Sequence, residues 1–157
     1  MEKKNPTDIR TIIGLREYVS FPKWDVPDIV AKIDTGARTS ALHVENIEKL
    51  SRQRVRFDVV LSRKNPDLRV PVEEKIVRIT RVRASTGHAK ERYVVATSIS
   101  LGDIEKTVEF SLVCRKHMLC RMLLGRTALA GDFLVDVDLR YALSKPRTLR
   151  KPRKASI

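Results

Sequence analysis

Cysteine is nearly absent, with only Cys114 and Cys120 in the chain, too few for the disulfide framework that staples small secreted domains. Aromatic residues make up 5%, which argues against a single-strand nucleic-acid reader built on stacking platforms. Glycine occurs only at positions 14, 36, 87, 102, 125 and 131, so there is no Gly-x-x-x-x-Gly-Lys phosphate loop, and no His-Glu-x-x-His zinc motif occurs. No apolar run approaches the ~18 residues that cross a bilayer. Met1 to Pro6 lack the apolar core of a signal peptide, and the expectation is a cytoplasmic protein with no membrane contact. Acid is in deficit: 19 Asp and Glu against 32 Lys and Arg give a net charge of +13. Such a field attracts anionic partners or substrates whatever the fold, although a solvated basic surface explains it equally.

What the sequence does have is short β-type segments in a chain of 157 residues, a one-domain length. Ile9 to Tyr18, with Ile12, Ile13 and Leu15, predicts a first strand closed by Phe21-Pro22, after which Trp24 and Pro27 mark a loop. Ile29 to Ile33 predicts a second strand and Ser40 to Val44 its return, with residues 45–53 as polar connection. Val55 to Leu61 alternates as a half-buried strand does, and Ser62 to Leu68 is turn. Val70 to Arg83 reads as one long strand with a basic face. Ala84 to Ala89 interrupts it, and Tyr93 to Ile99 forms the second arm of a hairpin. After a turn at Leu101-Gly102-Asp103 come a strand from Thr107 to Cys114, a loop from Arg115 to Arg121 and a short helix near Thr127 to Ala130. The expected fold is mostly β with one short helix, in a single domain over residues 9–142. A lead (1–8) precedes it and a basic tail (143–157) follows. In that tail six of the ten residues from Lys145 to Lys154 are basic and two are proline, a composition that cannot bury a core. It reads either as a solvated tail or as a phosphate-binding arm on RNA or the ribosome.

One stretch carries chemistry. In Ala31-Lys-Ile-Asp-Thr-Gly-Ala-Arg-Thr-Ser40, Asp34, Thr35 and Gly36 follow an apolar run. Asp and Thr hydrogen-bond local backbone and Gly accepts close approach, which suits a tight turn that aims one carboxylate outward. Taken alone, the tripeptide is also an ordinary turn. Some ninety residues on comes Met122-Leu-Leu-Gly-Arg-Thr-Ala-Leu129, an apolar run ending in Gly-Arg and entering the short helix, followed by Phe133 to Val137. Together these motifs resemble the retropepsins, dimeric aspartic proteases of retroviral type. The stretch from Pro22 to Leu42 is closer to their bacterial and archaeal branch, commonly labelled ATP-dependent zinc protease and associated with ribosomal-protein glutamate ligases.

The resemblance implies a closed retropepsin-like β-barrel and a homodimeric aspartic endopeptidase. An aspartic protease needs two carboxylates that share a proton, and one chain offers one Asp-Thr-Gly, so the arithmetic also asks for two copies. Asp34, Thr35 and Gly36 are then the catalytic residues, with Ala37, Gly125 and Arg126 as support. Arg38 and the hairpin tip (Thr86, Gly87, His88) are candidates for substrate contact. Ala37 stands where pepsin-like lobes carry a hydroxyl that favours the charged dyad, which predicts a pH optimum nearer neutral.

The sequence departs from the retroviral pattern at three points. Arg38 replaces an acidic residue that can pair with the arginine of Gly-Arg. The hairpin resembling the flap has only Gly87 at its tip, which bears on its mobility. The C-terminus is basic, so two copies would repel where retroviral chain ends interleave. The dimer contact then falls to Phe133 to Val137 or to the region before Ile12.

No cofactor is expected. Cys114, His117 and Cys120 could ligate a metal but lack an obvious fourth ligand, and reduced core thiols with a loop histidine explain them as well. His43 and His88 are lone histidines. Arginines 38, 78, 81, 83, 92 and 126 either face solvent on the outer sides of strands or favour carboxylate-bearing substrates, and the resemblance, through its association with glutamate ligases, implies an acidic or glutamate-extended protein tail. The competing class is a non-catalytic basic β-module that docks on ribosomal RNA.

Overall fold

The computed structural model describes residues 9–83, 87–114, 116 and 119–143. Among them lie eleven strands: β1 (Thr11–Ile13), β2 (Arg16–Phe21), β3 (Val26–Ile33), β4 (Ser40–Lys49), β5 (Arg54–Val60), β6 (Arg69–Lys75), β7 (Arg78–Arg83), β8 (Ala89–Leu101), β9 (Ile104–Val113), β10 (Met122–Leu124) and β11 (Phe133–Val135). One helical turn, α1 (Arg126–Leu129), sits between the last two. The sheet runs β10-β3-β2-β8-β9-β4-β5-β6, and β10 also pairs with β4. That extra pairing closes β10, β3, β2, β8, β9 and β4 into a barrel, which removes their free edges. The fold is thus mostly β with one short helix, as the sequence predicts. No helix among the described residues is long and apolar enough to cross a membrane.

The scarce aromatics are concentrated inside. Phe21 stacks on Trp24 at 5.0 Å and meets Phe110 edge-on at 5.4 Å, and Trp24 meets Phe57 at 5.5 Å. Alternation selects the buried face: Glu17, Val19 and Phe21 of β2 point inward, and Val55, Phe57 and Val59 of β5 do the same. The Trp24 indole N–H donates to Glu74 Oε1 at 2.8 Å, which satisfies the one polar atom that this cluster brings inside.

Several boundaries differ from those read in the sequence, each for a tertiary reason. Ile9 to Tyr18 is two strands, because β1 leaves the barrel to pair in parallel with β11 while β2 enters it. The break is at Gly14, where a Cβ would lie 2.5 Å from the Leu139 carbonyl oxygen, so only glycine lets the two backbones cross. The buried Glu17 carboxylate fastens this crossing by accepting the amides of Gly14 (3.0 Å) and Ala142 (2.6 Å).

Val70 to Arg83 is also two strands. The Ile76 amide turns to Gln53 O and the Val77 amide to Val94 O, so β6 pairs with β5 and β7 with β8. The polar segment 45–53 is largely strand, since β4 runs to Lys49 through an irregularity between Glu45 and Glu48 where Asn46 takes φ 53°. Pro27 lies inside β3 and not in a loop. It falls where the register with β2 shifts between Val19 and Phe21, so its missing N–H breaks no ladder bond there. The hairpin of β7 and β8 and the turn at Gly102 match the sequence reading. The lead (1–8), Thr86, His117 and all of the tail beyond Leu143 lie outside the described residues.

Candidate active site

The apolar alternation of β3 ends at Ile33 and delivers Asp34 into a turn between β3 and β4. Its amide donates to Leu124 O of β10 at 2.9 Å, so the neighbouring strand fixes where the turn begins. The Gly36 amide donates to Asp34 Oδ1 at 3.1 Å, and the Ala37 amide to Asp34 O at 3.3 Å. Asp34 is half-buried, whereas Thr35 and Gly36 are exposed. The Thr35 hydroxyl has no hydrogen-bond partner among the described residues.

The second motif lies beneath this turn. β10 is wedged parallel to β3 and antiparallel to β4, and at its end the chain meets the descending limb of the turn. The amides of Arg126 and Thr127 donate to Ala37 O (2.8 Å) and Arg38 O (3.0 Å). The Gly125 amide donates to the buried Ser40 Oγ at 3.0 Å. A Cβ on Gly125 would stand 2.5 Å from Thr39 O and 2.9 Å from Ala37 O, so backbone packing alone demands glycine. Arg126 reaches back so that Nη1 donates to Thr35 O at 3.0 Å. Lacking an acid at position 38, this arginine grips the turn through a carbonyl.

Asp34, Thr35, Gly36, Ala37, Gly125 and Arg126 are therefore brought together as one bonded unit. Gly87 and His88 are not joined to it: both are exposed on the hairpin, and a Cβ on Gly87 would meet nothing within 4 Å. Sequence reasoning did not single out Ser40. A serine opening an apolar strand gives no signal of its own, because its role depends on β10 lying across it.

Arg38 leads away from the turn into an open cavity of about 430 Å³, lined also by Thr39, Arg78, Thr107, Val108, Glu109 and Thr127. Arg78 Nη2 lies 2.9 Å from Glu109 Oε2 there, each side chain about half exposed. Arg38 has no acidic partner among the described residues.

Among the groups with displaced protonation equilibria, His43 on β4 and Glu74 on β6 are both held low. Burial, reinforced by the Arg121 charge, holds His43 below the ordinary imidazole value. Burial alone would push Glu74 up, but the Trp24 indole, the Lys23 ammonium at 3.0 Å and the Lys75 amide outweigh it and hold the carboxyl below the usual range. Cys114 is exposed and Cys120 buried. No three His, Cys, Asp or Glu side chains gather into a metal-holding group among the described residues, which do not include His117.

Comparison with known proteins places the chain in a family. Residues 12–146 match the family described as RimB-like, retropepsin-like aspartic endopeptidase RimB. A curated relative from Shewanella pealeana, named probable alpha-L-glutamate ligase, is 36% identical over 88% of this chain and 31% of its own length. A protein of the same name from Desulfotalea psychrophila is 32% identical over 87% of this chain and 30% of its own. The chain thus spans under a third of these relatives. The crystal structure of a Legionella pneumophila protein of unknown function superposes with a TM-score of 0.72 at 28% identity, covering 85% of this chain and 98% of that one. With the family match running through nearly the whole barrel and both motifs, the chain belongs to the RimB-like family of retropepsin-like aspartic endopeptidases.

Proposed function

We propose that two copies of this chain form one peptidase site in which Asp34 and its symmetry mate share a proton. One carboxylate takes a proton from the attacking water, and the protonated partner polarises the scissile carbonyl. The observation that carries this reading is the turn itself: a half-buried Asp34 with the Gly36 amide on Oδ1, locked from below by Gly125 and Arg126, and open above at Thr35 and Gly36. In this reading Thr35 bonds across the two-fold axis, and Gly36 lets the two turns approach. Ala37 shapes the dyad without a hydroxyl. Asp132 and Asp136 are poor substitutes, since neither opens an Asp-Thr-Gly turn and Asp132 is held by Lys106 at 2.6 Å.

Support for the pairing surface comes from the β1–β11 ribbon. Ile12 and Leu134 are register partners and are 52% and 51% exposed, beside Ile9 and Val137 at 98% and 69%. Exposed apolar residues so close together mark an association surface. The ribbon also lies at the Asp34 end of the barrel: the Ile33 amide bonds Leu15 O, and the Leu15 amide bonds Leu139 O.

The substrate we propose is an acidic or glutamate-extended protein tail. The net charge of +13 and Arg38, which has no acidic partner among the described residues, favour carboxylates, and relatives that contain a region like this chain are named probable alpha-L-glutamate ligase. The hairpin tip, with Thr86, Gly87 and His88, would cover the bound peptide. The deciding experiment is mass spectrometry of a ribosome or proteome digest with wild type and Asp34→Asn. Cleavage should fall at least about a hundredfold in the variant, and wild-type activity should rise with the square of dilute protein concentration. Undiminished cleavage by Asp34→Asn rejects the mechanism. Salt-steep RNA binding with no Asp34-dependent cleavage points instead to the non-catalytic RNA-binding module.

A further inference from the structure

The cavity beside the turn is walled by four parts of the chain: Arg38 and Thr39 on the limb descending from Asp34, Arg78 at the base of the hairpin, Thr107 to Glu109 on β9, and Thr127 on α1. It therefore spans the gap between the turn and the start of the cover. Its chemistry is lopsided. Two guanidinium groups share one acid, and that acid is engaged by Arg78 alone at 2.9 Å, so Arg38 brings an uncompensated positive charge to the opening. Val108 is the buried apolar patch on the wall, suited to the methylenes of a short acidic side chain, and three threonines supply hydroxyls around it.

We propose that this cavity is a specificity subsite for one acidic side chain of a peptide, and that Glu109 is its resident surrogate, occupying Arg78 until a substrate carboxylate displaces it. The proposal rests on the peptidase reading for what happens next, but binding at the cavity can be measured without cleavage. The physical logic is an exchange. A glutamate entering between Arg38 and Arg78 makes charge-assisted bonds to both and releases Glu109 to solvent, which costs little because the Arg78–Glu109 pair is half exposed. A glutamine has no charge with which to displace Glu109 and leaves Arg38 unmatched. Glu109 thus sets the threshold: it weakens every acidic ligand somewhat and keeps Arg78 from holding stray anions.

The test uses matched glutamate-rich and glutamine-rich peptides. Their binding is followed by fluorescence anisotropy on the full chain carrying Asp34→Asn, with and without Glu109→Gln, Arg78→Gln or Arg38→Gln, and their cleavage is followed on the Asp34 background. Glu109→Gln should tighten the acidic peptide about two- to fivefold, the worth of a half-exposed ion pair, and leave the neutral one unchanged. Arg78→Gln or Arg38→Gln should weaken the acidic peptide about tenfold, again sparing the neutral one, and in cleavage the change should sit in KM and not in kcat. Equal shifts for both peptides, or none for either, overturn the subsite. So does a gain by Glu109→Gln for polyuridylate as large as for the acidic peptide, since that is a general anion surface. Were Asp34→Asn to cleave normally, the peptidase mechanism would fall while the binding arms still decided the cavity.

Discussion

The turn at Asp34 and the hairpin of β7 and β8 flank the same cavity, yet they are held by different physics. The turn is fixed from three sides, by Leu124 O at its start, by the Arg126 and Thr127 amides along its descent, and by the Arg126 guanidinium on Thr35 O. In the hairpin, β7 is exposed at every residue but Thr80, pairs among the described residues with β8 alone, and is crossed by an Arg81–Glu91 pair at 3.6 Å that is too solvated to contribute much. Local stability follows buried apolar contact. The comparison therefore teaches a division in how the two are held, with the Asp34 turn on a rigid base and a hairpin secured by few buried contacts.

Breaking the rigid side should have the largest effect. Gly125→Ala drives a methyl into two backbone carbonyls with no flexible side chain to yield. We expect a loss of about 3 kcal/mol or more, seen as a large fall in thermal midpoint or failure to fold. Ser40→Ala is next. It leaves the buried Gly125 amide without its acceptor, and chemical denaturation should show a loss of about 1–3 kcal/mol, with cleavage falling as the turn loosens.

Acid sharpens the contrast, because His43 on β4 and Glu74 on β6, both held below their ordinary values, lie in the packed body and not in the hairpin of β7 and β8. Glu74 sits below its ordinary value in the fold, so its contribution is full above the unfolded value and is lost as pH falls through the folded one. His43 is also lowered, so below about pH 6.5 the unfolded chain takes up a proton that the fold resists. Both effects have one sign: unfolding followed by Trp24 fluorescence should show stability declining as pH drops from 7 toward 4. Glu74→Gln should flatten the lower part of that decline by roughly 1 kcal/mol, while amide exchange in β7 stays unchanged. The smallest effect belongs to the hairpin: Ile79→Thr with Val82→Thr should move global stability by less than ~0.5 kcal/mol.

How far the molecule could be read from sequence divides along the same line. Asp34 and Gly36 were legible as a turn that wants Asx chemistry and close backbone approach, while Gly125 and Arg126 stood out through the resemblance to the retropepsin motifs, and the structure supplies the reason for glycine at 125. The boundaries that were missed were set by distant partners. Nothing near Gly14 announces Leu139, and the continuous β-type run from Val70 to Arg83 hides that its halves belong to different neighbours, β5 and β8. Alternation tells which face is buried, but it does not tell what covers that face. The buried Ser40 and the Arg78–Glu109 pair were invisible for the same reason.

The parallel ribbon of β1 and β11 also sets a timetable. Ile13 finds its partner only at Val135, and the barrel does not close until Met122 and Leu123 slot between β3 and β4. In an emerging chain β2 and β3 can pair at once, but β1 and the edges of β3 and β4 that take β10 wait for residues about eighty or more positions on, and long-range closure of this kind is slow. For that interval Asp34 has no β10 beneath it, so the turn can be locked only after Leu124 to Thr127 have been made and brought back to it.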